Sequence, residues 1–170
     1  MTLVFSVYGV AQPKGNMRAF QGKGMKFPVL TDSNRSVKSW SQLVAQGASE
    51  AIQQLPEAER AVMAGAVRLS CVFFMPRPKK YTRPKHANVP CLTMPDWDKL
   101  SRAVGDALSK VLYRDDCQIV EAVIGKYYAG LHDAPHIDVR VEPTAGIHPF
   151  KVAPAPLPLF AGEDLCVVLR

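Results

Sequence analysis

The 170-residue sequence has no C-x-x-C pair; its four cysteines, Cys71, Cys91, Cys117 and Cys166, are scattered. That spacing argues against a zinc site and gives no sign of a secretory disulfide framework, so free thiols in a reducing cytoplasm are expected. No apolar run approaches the roughly 18 residues of a membrane span, and the N-terminus has no charged stretch followed by a long apolar one. A soluble, cytoplasmic protein without membrane contact is expected. The four histidines form no His/Cys cluster and are read as surface or loop residues. His86 alone draws interest, because it lies in a basic loop near a helix entry. Acid is scarce in the first part of the chain: residues 1–95 hold 13 Lys/Arg against 4 Asp/Glu, whereas residues 96–170 hold 8 against 11. The net charge of +6 therefore divides into a basic part suited to a polyanion and an acidic part suited to chemistry upon it.

The hydrophobic content of 48% is that of a globular chain, and the length suits one domain. "LVFSVYGVA" (3–11) reads as a strand, followed by a basic, Gly- and Pro-punctuated loop over 12–28. A helix begins near Asn34 or Ser36, with Trp40, Val44, Ala48, Ala51, Ile52 and Leu55 on one stripe, and ends at Pro56. "EAERAVMAG" suggests a short second helix before Gly65. "AVRLSCVFFM" (66–75) is a second strand. A long basic loop over 76–95 then carries five basic residues and five prolines. A helix over 96–111 buries Leu100, Val104, Leu108 and Val111. "QIVEAVIGKYYA" (118–129) is a third strand, and "HIDVRVE" (136–142) a fourth, with Ile137, Val139 and Val141 facing a core. The fold class is α+β, a mixed β-sheet in β-α-β-α-β-β order with helices packed on it. The last two strands are expected to form a hairpin around "GLHDAP". Residues 1–142 form this domain. Residues 143–170 are a Pro-rich C-terminal tail whose "DLCVVLR" offers a short edge strand.

The stretch "PDWDKLSRAVGDALSKVLYRDDCQIV" (95–120) places Asp96 and Asp98 at the start of one helix and Asp115 and Asp116 beyond its end. Helix capping and the helix dipole account for the first pair and a turn for one member of the second. If the second and third strands are neighbours, however, the pairs converge. Such a cluster repels itself unless a cation sits in it, and oxygen ligands suit Mg²⁺ or Mn²⁺. Beside a phosphodiester, that arrangement supports metal-assisted hydrolysis.

The same stretch resembles the signature of the RusA family of Holliday junction resolvases (crossover junction endodeoxyribonucleases). In that family D-x-D-N-L-x-K opens a helix, D-A-L follows within it, and D-D-x-Q-[IV] comes after it. "AQPKGNMR" and the strand order agree more loosely, and the tail lies outside the resemblance. The resemblance implies a homodimeric, Mg²⁺-dependent endonuclease that nicks four-way DNA junctions. It carries the metal-binding acids onto Asp96, Asp98 and Asp116, with Asp115 as an accessory. The family's Asn falls on Lys99 and its catalytic Lys on Arg102. The i,i+4 spacing keeps Arg102 beside Asp98, and a guanidinium clamps phosphate but does not readily move a proton. Lys99 supplies an ammonium nearby. Asp106, one turn beyond Arg102, is expected to be its ion-pair partner.

Lys14, Arg18, Lys23 and Lys26 in the first basic loop, and Arg77, Lys79, Lys80, Arg83 and Lys85 in the second, are the candidate DNA contacts. Phe20, Phe27 and Tyr81 interleave them for stacking on exposed bases. Two other readings fit the residues: a metal nuclease for flaps or forks, and a non-catalytic DNA-binding architectural protein.

Overall fold

The computed structural model describes residues 2–81 and 89–145. The expected contacts Arg83 and Lys85, His86 and the edge strand in the tail lie outside the described residues. The elements run β1 (Leu3–Tyr8), β2 (Met17–Phe20), β3 (Val29–Asp32), α1 (Val37–Gln53), β4 (Val67–Met75), α2 (Trp97–Leu108), β5 (Ile119–Tyr128) and β6 (His136–Pro143).

Strand order in the main sheet is β1-β6-β4-β5. The central strand β4 alternates strictly, burying Val67, Leu69, Cys71, Phe73 and Met75. That period of two turns one face of the sheet towards α1 and α2, which supply Trp40, Val44, Ala48, Leu100, Val104 and Leu108 to the core. Burial pushes the Cys71 thiol up to about 12, the behaviour of a small apolar core residue and not of a nucleophile. β4 and β5 pair in parallel, Leu69 opposite Ala122 and Phe73 opposite Lys126. Parallel neighbours need a crossover, and α2 is that crossover. The expected adjacency of these two strands holds.

Four expectations are corrected. β5 and β6 do not form a hairpin; β6 pairs antiparallel with β1 and β4, and β4 separates it from β5. The connection over 129–135 passes the end of β4, where the Ala129 N–H meets Met75 O and the Gly9 N–H meets Pro135 O, both at 2.8 Å. Crossing two strand spacings, about 10 Å, needs more chain than a tight turn supplies. The segment expected as a basic loop over 12–28 contains a strand: β2 pairs antiparallel with β3, Phe20 opposite Val29, as a small separate hairpin. The "EAERAVMAG" segment makes only one turn of 3₁₀ helix, at Glu57–Glu59. Beyond it the chain turns away to bond Met63 N–H to Leu112 O, while the Arg60 side chain caps α1 through Leu55 O and Gln53 O. Finally, α2 stops at Leu108, and Lys110 takes a positive φ of 67° that ends the helix.

α1 lies against β1 at Gly47, where an added Cβ would stand 2.9 Å from Val7 Cγ2. Gly47→Val should therefore lower stability by about 1–3 kcal/mol through overpacking. Gly65→Ala, which would meet nothing within 4 Å, serves as its control. Thermal unfolding of the two variants beside the parent checks this; equal midpoints would contradict the packing of α1 on β1.

Candidate active site

α2 opens at Asp96, which holds the N-cap position with extended backbone (φ −68°, ψ 144°), yet its carboxylate makes no capping hydrogen bond. The acid is left for other partners, and Lys99 Nζ stands 3.7 Å from its Oδ2. The segment leading to this point is clamped to β5. Cys91 N–H donates to Lys126 O, Tyr128 N–H to Val89 O, and Lys126 Nζ to the carbonyls of Thr93 (2.8 Å) and Pro95 (2.7 Å). One ammonium thus fixes the entry to the helix. The sequence reading missed Lys126, because its signal was a single charge in an apolar strand.

Beyond α2 the "RDDCQ" turn divides its work. Asp115 caps the Asp116–Gln118 turn by accepting from Cys117 N–H at 3.0 Å. Gln118 Oε1 accepts from the N–H groups of Arg114 and Asp115, while its Nε2 donates to Met63 O and Gly65 O. The Cys117 N–H holds the Asp115 carboxyl below the usual carboxylate range. Its contribution to the turn is present above that range and is lost only as pH falls through the depressed value. Asp116 is the opposite case. Partial burial, then the Asp115 carboxyl, then the negative charge of Asp106 push its carboxyl up. Asp115 is committed to the turn, and Asp116 faces the cleft.

Gly105 brings the two ends of this motif near each other. It is buried, an added Cβ there would stand 3.3 Å from Ile119 Cδ1, and its carbonyl accepts from the buried Tyr113 hydroxyl at 2.9 Å. Asp98, Ser101, Arg102, Gly105 and Asp116 line a single cleft of about 280 Å³, with Leu69 and Ala122 at its floor. Within it, Asp98 lies about 10 Å along the helix axis from Gly105, where β5 begins. Asp96 is not part of its lining. Two carboxylates, Asp98 and Asp116, stand in the cleft beside the Ser101 hydroxyl and the Arg102 guanidinium. Oxygen donors suit a hard cation, and a cation would ease the burial and negative neighbours that oppose the charge on Asp116. Among the described residues, however, no three Asp, Glu, His or Cys side chains gather closely enough to hold an ion.

Asp106 is not the partner of Arg102. Lys14 Nζ takes its carboxylate, and Lys14 N–H also donates to Lys99 O at 3.0 Å. Arg102 stays exposed on the cleft. Of the remaining basic candidates, Lys23, Lys26, Lys79 and Lys80 are exposed, and Lys80 Nζ lies 4.8 Å from the centre of the Tyr81 ring. Arg77 is turned inward, donating to Ala129 O (2.5 Å), Tyr81 O (2.9 Å) and Tyr128 O (3.5 Å). Arg18 lies on β2; its backbone is described and its side chain is not. Among the described residues, no helix is long and apolar enough to cross a membrane.

The domain is a small α+β fold with Asp98 and Asp116 on one cleft along its crossover helix. The family model "Endodeoxyribonuclease RusA" matches residues 9–142, and the chain belongs to that family. It is also 31% identical over 149 residues to a Bacillus subtilis (strain 168) protein named "Uncharacterized protein YqaN", covering 81% of this chain and 93% of the relative.

Lys126→Met removes both carbonyl contacts of the ammonium. Amide exchange over residues 91–97 should then rise on the order of tenfold, with little change in β4, since hydrogen bonds to a charged group are among the stronger ones. Unchanged protection in that segment would show that the clamp does not hold it.

Proposed function

We propose that this protein is a metal-dependent, structure-selective endodeoxyribonuclease that resolves Holliday junctions by paired symmetric nicks in cytoplasmic DNA recombination and repair. Residues 1–142 form its nuclease domain. The observation that carries the reading is the shared cleft of Asp98, Arg102 and Asp116, within the span that matches the endodeoxyribonuclease family.

Asp96, Asp98 and Asp116 would hold Mg²⁺, with Mn²⁺ able to replace it. The ion supplies Lewis-acid activation of a phosphodiester and a hydroxide equivalent at neutral pH. The chain's own residues do the rest. Arg102, exposed on the cleft, clamps a non-bridging phosphate oxygen with its planar fork. Lys99 raises the local potential beside Asp96. The exposed lysines at positions 23, 26, 79 and 80 hold flanking backbone phosphates. A homodimer matches the near two-fold symmetry of a four-way junction and places one cleft on each strand to be cut.

Asn substitution of Asp96, Asp98 or Asp116 should lower junction cleavage by orders of magnitude while binding persists or tightens. Arg102→Ala should slow single-turnover cleavage by on the order of 10²-fold or more. Asp115→Asn should matter much less. Wild-type rates for Asp116→Asn would overturn the assignment. Incubation with labelled junction, fork and linear duplex, each with and without Mg²⁺ and scored for both binding and cleavage, separates this function from a flap nuclease or an architectural protein.

Lys79 and Lys80 give a second test. Replacing both by Gln should weaken junction binding and flatten the log–log salt dependence by up to about two units. An unchanged slope would place these lysines away from DNA.

A further inference from the structure

A second, larger cavity opens at the end of the sheet where β1, β4 and β5, all parallel to one another, finish. In open α/β sheets ligands bind in the crevice outside the carboxyl ends of the parallel strands, and β4 and β5, a parallel pair, end in the same way at this cavity. The cavity measures about 520 Å³, within the range of about 300–1,000 Å³ typical of sites that enclose an organic ligand. Its lining includes Pro95, the residue before Asp96, so it begins one residue from the proposed cleavage chemistry.

Its chemistry differs from everything around it. None of the described residues that line it is charged, although the chain carries 21 Lys and Arg and the adjoining segment 76–95 is basic. That argues against a phosphate, a metal ion or a carboxylate as its occupant. Met75, Pro76, Met94 and Pro95 offer flat hydrocarbon surface, and Met94 is 77% exposed at the mouth. The lining also carries polar groups: the Thr93 hydroxyl, 3.1 Å from the Tyr128 hydroxyl, the amide of Gln12, whose nitrogen donates to Val10 O, and the amide of Asn34, which donates to Pro13 O. A neutral, planar group with hydrogen-bonding edges fits both features, and DNA offers one such group once a base leaves its stack. The wall that would contact it is the segment held by Lys126, the same clamp that sets Asp96.

We propose that this pocket receives an unstacked nucleobase next to the scissile phosphate and so selects the nucleotide that flanks the cut. This rests on the junction-nuclease reading. Extruding a base costs least where pairing is already disturbed, as at a branch point, so the pocket would couple cleavage to branched structure as well as to sequence.

The test uses the full chain in EDTA, which binds without cutting, on a four-way junction carrying 2-aminopurine at each position flanking the branch in turn. At saturating protein, fluorescence should rise severalfold at one position. Val10→Trp, which fills the partly exposed mouth, should abolish that rise in the bound complex. With Mg²⁺, Gln12→Leu and Thr93→Val should change which nucleotides flank the cuts in a junction that offers all of them. A bound junction with no rise at any position, or a rise that survives Val10→Trp, would overturn the pocket assignment and leave the nuclease intact. A native chain that binds no junction at all would instead overturn the nuclease reading, and this one with it.

Discussion

The parallel pairing of β4 with β5 is the constraint on which the rest of the molecule depends. Two parallel neighbours cannot be joined by a tight turn, so the chain must return along the sheet, and α2 is that return. Its N-terminus sits above the end of β4 and its C-terminus above the start of β5. Acidic residues at the two ends of one helix thereby come to border one cleft. Gly105 completes the arrangement. A glycine within a helix costs about 1 kcal/mol relative to alanine, and here it admits Ile119 and the turn that carries Asp116.

Within that frame, neighbouring residues of the same type have separate tasks. Asp115 is consumed by the turn, where a backbone N–H keeps it ionised; Asp116 is left in a crowded environment that opposes its charge. At the other end, Asp96 occupies a cap position without capping, and Asp98 faces the cleft. The histories of the two basic loops diverge similarly. Lys14 and Arg77 are drawn into the protein's own carboxylate and carbonyls, whereas Lys79 and Lys80 stay exposed. A count of positive charge alone would have treated all four as equivalent.

Much of this was legible in the residues. The alternation of β4, the apolar stripes of α1 and α2 and the spacing of the acid pairs follow from period and composition, because burial enforces them along the chain. What was not legible depended on partners distant in sequence. The insertion of β6 between β1 and β4 leaves no local mark on "GLHDAP", whose turn residues suit a hairpin equally well. The β2–β3 hairpin is short and exposed, so no buried face imposes a pattern on it. Lys126 and Gln118 act through backbone carbonyls, Lys126 31 and 33 residues away and Gln118 53 and 55, and carbonyls carry no side-chain identity to read.

The β2–β3 hairpin stands apart from the main sheet, and Phe20, Phe27 and Val29 on it are 63%, 77% and 47% exposed. Residues that bury little surface contribute little to folding, so changes in this arm are weakly opposed by stability. Its roots are different: Lys14 is bonded to α2, and the Asn34 side chain donates to Pro13 O at 2.9 Å. The molecule thus has a permissive tip on a fixed base. Variation in what the arm touches can accumulate there without moving the helix that carries the acids.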